Sequence, residues 1–462
     1  MTETVTQTQT LTLVENPLAY LHNTDLGNSE RFVTQHGQNL HYCNTWGHWY
    51  TWNGTHWAYD ETGQVMELAK LTVRTVYADA ANMVDNGTRR ELGRHALRSE
   101  SANRLAAMVD LAHTDPTIAA RPDDFDRDPW LLNVENGTLN LCTGELQPHA
   151  REDLITKLAP VVYDPGATCP TWYSFLDRIM DQNTNLKQFL KRSVGYSLTG
   201  QVTDKALFIL WGEGDNGKTT FLEAIRTLLG DYALRTPTST LMAKRYDGIP
   251  NDVARLKGAR FVSASESEQG RHLSETLIKD LTGGDTISAR FLHAEWFDFT
   301  PECKLWLGTN HKPEIRGTDN AIWNRIKLVP FTVTIPEAEQ DKQLGDKLAQ
   351  ELPGILNWAL AGCLEWQRIG LAEPKEVTDA TDKYKGEMDE LARFISAYCE
   401  IGQDPVTGKD LTVTKGGLYA EYEKWGGSLS QNRFGKAMSE HYKDHRTTGG
   451  LHVWLGIGLK QS

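Results

Sequence analysis

The sequence predicts an α/β protein whose central domain is a parallel sheet carrying a P-loop. An α+β region would precede this domain, and a helical region ending in a winged-helix-like module would follow it. Three observations support the prediction. The apolar run 207–211 reads as a buried strand and runs into Gly212-Glu-Gly-Asp-Asn-Gly-Lys-Thr219, which matches G-x-x-x-x-G-K-[ST]. Behind it Phe221, Leu222, Ile225, Leu228 and Leu229 recur at helical spacing until Gly230 stops the run. Two further strand-like segments, 260–268 and 304–310, end in polar side chains of the kind a phosphate-binding sheet needs.

The loop explains itself chemically. Gly212, Gly214 and Gly217 let the backbone N–H groups of the loop, with Glu213, Asp215 and Asn216 between them, converge on a β-phosphate. Lys218 would reach the β- and γ-phosphates, Thr219 would offer its hydroxyl to Mg²⁺, and Thr220 continues the cradle into the helix. A glycine loop can merely turn the chain, but the flanking strand and helix favour nucleotide binding.

Residues 1–17 are Thr- and Gln-rich without an apolar signal-peptide core, and 1–25 reads as a flexible tail. Residues 26–165 read as an α+β domain. Within it Tyr42, Trp46, Trp49, Tyr50, Trp52, Trp57 and Tyr59 crowd two short strands around Asn53-Gly54, a hairpin signal. Those rings could stack on bases, but the core of a small sheet is the simpler use for them. Helices are predicted over 63–84 and 89–113, the second bearing Arg89, Arg90, Arg94, Arg98 and Arg104, a solvated face more readily than a DNA contact. The acidic stretch 122–128 reads as a loop, and a second hairpin turns at Asn136-Gly137.

Residues 166–200 hold two amphipathic helices, marked by Trp172, Phe175, Leu176, Ile179 and Met180, then by Leu186, Phe189, Leu190 and Val194. They read as a helical collar on the nucleotide domain, 201–335. In that domain 260–268 should carry the metal carboxylate, with Glu266 assigned to Mg²⁺ and Glu268 to the attacking water. Asn310 would sense the γ-phosphate. A helical linker over 336–375 follows, with a charged tether from Pro374 to about Glu390. The C-terminal 376–462 shows helices and a short terminal strand, suggesting a winged helix on which Arg433, Lys436, Lys443 and Arg446 could contact phosphates. A net charge of −13 leaves room only for locally basic surfaces, and six scattered cysteines without C-x-x-C spacing suggest a reduced compartment and no cysteine metal site.

This order of motifs resembles the superfamily 3 helicases, an AAA+-like group, and within them the phage and plasmid primase-helicases related to the poxvirus replication helicase. The likeness rests on the P-loop, Ser265-Glu-Ser-Glu268, Leu281-Thr-Gly-Gly-Asp-Thr-Ile-Ser-Ala-Arg290, Leu307-Gly-Thr-Asn-His-Lys-Pro313 and Gly317-Thr-Asp-Asn-Ala-Ile-Trp-Asn-Arg-Ile326. It implies an ATP hydrolase acting as a ring helicase in phage DNA replication. The ring is usually a hexamer, with ATP and Mg²⁺ between subunits, moving 3′ to 5′ on single-stranded and forked DNA. By the same resemblance Asn310 is the sensor, and Arg325 reaches a neighbour's site. The segment 283–299 is then the pore hairpin, with Arg290 and His293 facing DNA. Ser267 separates two acids that are adjacent in many relatives, which weakens the water-activating assignment. The chain begins where the primase domain of longer members ends, so primer synthesis is not expected, although a separate primase could dock. The expected location is the cytoplasm of a bacterial host. Two other functions fit the same motifs: an ATP-dependent origin-binding or loading protein that does not unwind processively, and a structural replisome ring.

Overall fold

The computed structural model describes residues 21–243, 251–265, 270–292, 295–317, 320–403, 407–427 and 429–460. Glu266, Glu268 and His293 therefore lie outside the described residues. The chain divides into two compact units, Met1–Ala167 with Leu228–Tyr232, and Thr168–Thr227 with Ala233–Ser462.

The first unit begins with α1 (Asp25–His36), whose N-terminus is capped by the Thr24 hydroxyl accepting from Gly27 N at 3.1 Å. Strands β1 (Leu40–Cys43), β2 (His48–Trp52) and β3 (Trp57–Tyr59) form an antiparallel meander. The hairpin signal holds, but the loop is four residues long, 53–56, with Asn53 Oδ1 accepting from Thr55 N and His56 N at 2.9 Å. Trp57 is buried and donates from its indole to Arg151 O, while Tyr42 stacks on His113 at 3.7 Å. The aromatics are thus mostly packing material.

Next come α2 (Gln64–Asn82), α3 (Asn86–Ser99), α4 (Ala102–Ala112) and β4 (Ala119–Ala120), the last pairing with β1. The single helix expected over 89–113 is two. Ser101 adopts an extended backbone (φ −65°, ψ 142°), and this ends one helix and starts the other. The antiparallel β5 (Leu131–Val134), β6 (Gly137–Asn140) and β7 (Glu145–Gln147) complete the unit. The second hairpin turns through Glu135 and Asn136. Gly137 has φ 157°, and a side chain there would meet Gln147 O at 2.5 Å. The acidic loop is structural: Asp126 accepts from Thr156 N at 2.8 Å and from its hydroxyl at 2.5 Å.

The second unit opens with α5 (Pro170–Ile179) and α6 (Thr184–Leu198), burying every apolar residue that the helical spacing marked on them. Next come β8 (Leu207–Trp211), α7 (Lys218–Leu229), β9 (Ala233–Arg235), α8 (Asn251–Ala254), β10 (Phe261–Ser265) and α9 (Glu275–Gly283). The strands β11 (Ile287–Ala289) and β12 (Phe297–Phe299) form an antiparallel hairpin. The domain closes with β13 (Lys304–Thr309), α10 (Asn320–Trp323) and β14 (Ile326–Pro330). Its sheet is wholly parallel in the order β14-β8-β13-β10-β9. The central strands are buried almost end to end, so their apolar character is continuous rather than alternating. In a parallel sheet all strand ends of one polarity lie along one edge, and here that edge carries the P-loop after β8 and Asn310 after β13.

Beyond the sheet lie α11 (Leu344–Gln350) and α12 (Leu352–Ile369). The α12 helix packs along α6 where glycines face each other's backbone: a Cβ at Gly195 would collide with Cys363 and Gly362, and one at Gly362 with Lys191. Arg192 fastens the pair, donating to Glu365 at 2.7 Å and to the Leu371 and Ala372 carbonyls. The charged stretch expected to be a tether is instead a docked helix, α13 (Lys375–Met388). Val377 and Tyr384, seven residues apart and so on one face, are fully buried, and Tyr384 donates its hydroxyl to Pro313 O.

The C-terminal segment has a core of its own around Phe394, Tyr422, Phe434 and Trp454. It runs α14 (Glu390–Tyr398), β15 (Cys399–Ile401), β16 (Thr412–Thr414), α15 (Lys415–Lys424), α16 (Gln431–His441), β17 (Lys443–Arg446), β18 (His452–Leu455) and β19 (Ile457–Leu459). Strands β16, β18 and β17 make one antiparallel sheet, while β15 pairs with β19.

Candidate functional site

At the C-terminal edge of the sheet lies a cleft of about 1270 Å³. It is lined by the P-loop from Gly214 to Thr220, by Ser265, by Gly308 to His311, and by residues of α5 and of 335–344. Lys218 is its centre. The ammonium donates to Gly212 O at 2.7 Å and to Asn216 Oδ1 and Asn310 Oδ1, each at 2.9 Å. Burial pulls its pKa down to about 8. A lysine held by three neutral oxygens, with no carboxylate opposite among the described residues, is a cation lacking a counter-charge. A triphosphate would supply one.

The glycines divide by purpose. Gly217 has φ 83°, and a Cβ there would strike Ile179 at 2.5 Å and Phe175 at 3.0 Å. Gly212 lies against the Phe331 carbonyl and the Asn216 amide, leaving no room for a side chain. Among the described residues no protein atom lies within reach of a Cβ added at Gly214, so their packing does not require the glycine. Asn216 is 3 % exposed and braces the loop, donating to Glu213 O and to Phe331 O. Asp215 takes a left-handed backbone (φ 57°), and its carbonyl accepts from Ile335 N at 2.7 Å. Glu213 and Thr219 are exposed, and α7 starts at Lys218, so the positive end of its dipole meets the loop. Cradle, lysine and helix terminus together fit a nucleoside triphosphate.

Several lining residues escaped the sequence reading. Arg178 enters from α5 and pairs with Glu339 at 2.8 Å. Arg271 and Lys342 also face the cleft. Each is far from the P-loop in sequence; only the polar side of the α5 pattern could have hinted at Arg178. Arg325 is not part of this cleft. It precedes β14 at the opposite edge of the sheet, donating to Thr282 Oγ1 at 3.0 Å and Ala321 O at 2.6 Å. Among the described residues no group of three His, Cys, Asp or Glu side chains could hold a metal ion.

Two family models match the chain. Residues 29–181 match a D5 N-terminal-like family, and 210–325 match a family of unknown function, DUF5906. The apo structure of the NrS-1 C-terminal region has a similar fold, with a TM-score of 0.50 and 9% identity over 94% of this chain and 99% of that one. A protein of Acanthamoeba polyphaga mimivirus named "Putative helicase L207/L206" is 26% identical over 350 residues, 70% of this chain and 36% of its own length. "Putative helicase 022R" of Frog virus 3 is 28% identical over 260 residues, 52% of this chain and 26% of its own length. The N-terminal match and these relatives set the chain beside putative helicases of large DNA viruses. The chain spans about a third of the length of these curated relatives.

The candidate nucleic-acid groups do not line the cleft. Arg290 follows β11 with its guanidinium 4.9 Å from the centre of the Trp296 ring, and its Nε has no hydrogen-bond partner among the described residues. Phe291, Leu292 and Trp296 beside it are exposed. Arg433 and Lys436 are exposed on α16, opposite the buried Phe434 and Met438. Lys443 and Arg446 are exposed on β17. No helix among the described residues is long and apolar enough to cross a membrane.

Proposed function

We propose that the chain is an ATP-dependent, ring-forming DNA helicase of superfamily 3 that serves phage or mobile-element replication. The observation that carries this reading is the Lys218 ammonium, held among three neutral oxygens in a cleft large enough for ATP. The names of its relatives and the D5 N-terminal-like match support the helicase side of the reading.

In this proposal Lys218 and the loop amides bind the β- and γ-phosphates, and Asn310, already hydrogen-bonded to Lys218, orients the γ-phosphate end. The Thr219 hydroxyl and Glu266 would hold Mg²⁺, which neutralises charge developing on the phosphates; Glu268 would position water. Arg325, remote from its own cleft, would complete that of the next subunit in a ring, with a hexamer expected. The hairpin bearing Arg290 and His293 would grip one strand and draw it 3′ to 5′. With β15 set apart in its pairing with β19, the order α14, β16, α15, α16, β17, β18 over 390–455 supports a winged-helix reading, with Arg433 and Lys436 on the helix that would meet phosphates.

Lys218→Ala tests the proposal. It should fold normally, bind ATP poorly and lose both ATP hydrolysis and strand displacement. Full turnover in the folded variant would overturn the assignment. ATP hydrolysis by the wild-type chain without displacement of any forked substrate would favour the loading protein instead.

A further inference from the structure

We infer that the outer face of α3 is a second nucleic-acid contact surface, one that grips the sugar–phosphate backbone through a row of arginines. The helix carries Arg89, Arg90, Arg94 and Arg98 against a single acid, Glu91, in a chain of net charge −13. Leu92, His95, Ala96 and Ser99 form its buried side. At 100° per residue, the opposite side is centred on Arg90, Arg94 and Leu97, with Arg98 at its flank. All four are exposed, Leu97 to 64%.

What separates this row from an ordinary solvated face is the employment of its neighbours. Arg31 is buried and donates to the Leu21 and His22 carbonyls. Arg89 donates to the Met83 carbonyl at 3.1 Å and 2.6 Å, bracing the start of the helix. Arg104 lies 3.9 Å from Asp25. Arg90, Arg94 and Arg98 make no ion pair among the described residues, although charged helix surfaces commonly lace themselves with i,i+4 partners. Arg98 and Arg104 also act on the interior, since with burial and Arg31 they help press the His95 pKa down to about 4.

Successive arginines in the row are four residues apart, so they climb roughly 6 Å per step on a rigid helix. Three planar forks on such a ladder suit a run of phosphates, because each guanidinium can bind phosphate oxygens with two donors. Leu97 between them offers an apolar contact to a sugar or a base edge. An acidic protein would also be attracted, but nucleic acid is the polyanion that presents charge at regular intervals along a strand.

The experiment uses the full chain and compares Arg90→Ala/Arg94→Ala/Arg98→Ala with the triple lysine variant. Binding to a single-stranded and a duplex oligonucleotide is measured across salt concentrations. Each phosphate contact contributes about 0.7 to 0.9 to the slope of log affinity against log salt. The alanine variant should lose about 2 from that slope for at least one of the two oligonucleotides, with at least about tenfold weaker binding near 0.1 M salt. DNA-independent ATP hydrolysis should not change, because none of the three lines the cleft. The lysine variant should keep most of the slope. Wild-type binding whose slope survives the alanine variant overturns the inference and leaves the helicase proposal standing. An unchanged slope with altered sedimentation overturns it equally and reassigns the face to protein contacts. A wild-type chain that binds neither oligonucleotide overturns both readings.

Discussion

Lys218 has a pH dependence that follows from its burial. Its pKa of about 8 lies below that of a free lysine, so its charge fades in a range where lysine is usually fully protonated. Phosphate bound beside it would favour the charged form and lift the pKa again. ATP affinity should therefore hold steady below about pH 8 and weaken above it by up to about tenfold per pH unit, until the pKa of the bound state is passed. Lys218→Arg should flatten that profile, since a guanidinium keeps its proton. A nucleotide titration from pH 6.5 to 9.5 checks both. Gly214 gives a sharper test of the cradle. An alanine there meets no atom of the described residues, so Gly214→Ala should unfold like wild type in denaturant while binding ATP more weakly. Equal ATP affinity would show that phosphate does not approach that residue. The glycine pattern was legible as a P-loop, but its division of labour was not, because Phe331, Ile179 and Phe175 reach the loop from distant segments.

The crossing of α6 and α12 decides how firmly the collar is held, and two glycines set its closeness. Alanine is favoured over glycine inside a helix by about 1 kcal/mol, so a helix interior with free space should gain from the exchange. Gly93 in α3 is such a place, with nothing near an added Cβ, and Gly93→Ala should stabilise by about 0.5 to 1 kcal/mol. Gly195 is the opposite case. Its Cβ would meet the backbone of Gly362 and Cys363, which cannot swing aside like a side chain. Overpacking of this kind costs about 1 to 3 kcal/mol, which outweighs the propensity gain, so Gly195→Ala should lower the denaturation midpoint. Denaturant unfolding of the two variants should show opposite signs. The apolar periodicity that exposed α5 and α6 in the sequence says nothing of this, since a glycine in a helix carries no periodic signal. The α13 helix escaped for a related reason: Val377 and Tyr384 are two apolar anchors in a run otherwise dominated by charge. The break between α3 and α4 was hidden because apolar residues recur on both sides of Ser101 at spacings that one longer helix would also satisfy.

Assembly is where the functional proposal meets its strongest test, because Arg325 sits at the wrong edge of the sheet to serve its own cleft. The strand that follows it, Ile326–Pro330, is paired residue for residue with Leu207–Trp211, whose far end opens into the P-loop. Five residues at about 3.3 Å each put roughly 17 Å of strand between the two edges. The Thr282 hydroxyl and the Ala321 carbonyl hold Arg325 in its own subunit, and neither is an ionic partner that removing the side chain would leave buried and unpaired. Arg325→Ala should therefore fold, bind ATP at its own P-loop and lose hydrolysis. Mixed with Lys218→Ala subunits, it should regain part of the activity, since some interfaces would then join an intact P-loop to an intact arginine. An arginine supplied by a neighbour is worth about 10³-fold or more in rate, so even a minority of repaired interfaces would rise above the mutant background. ATP hydrolysis measured across mixing ratios should pass through a maximum at intermediate composition. A flat profile at the level of the single variants would mean that Arg325 serves only the link between its own helix and strand, and the shared site would fall.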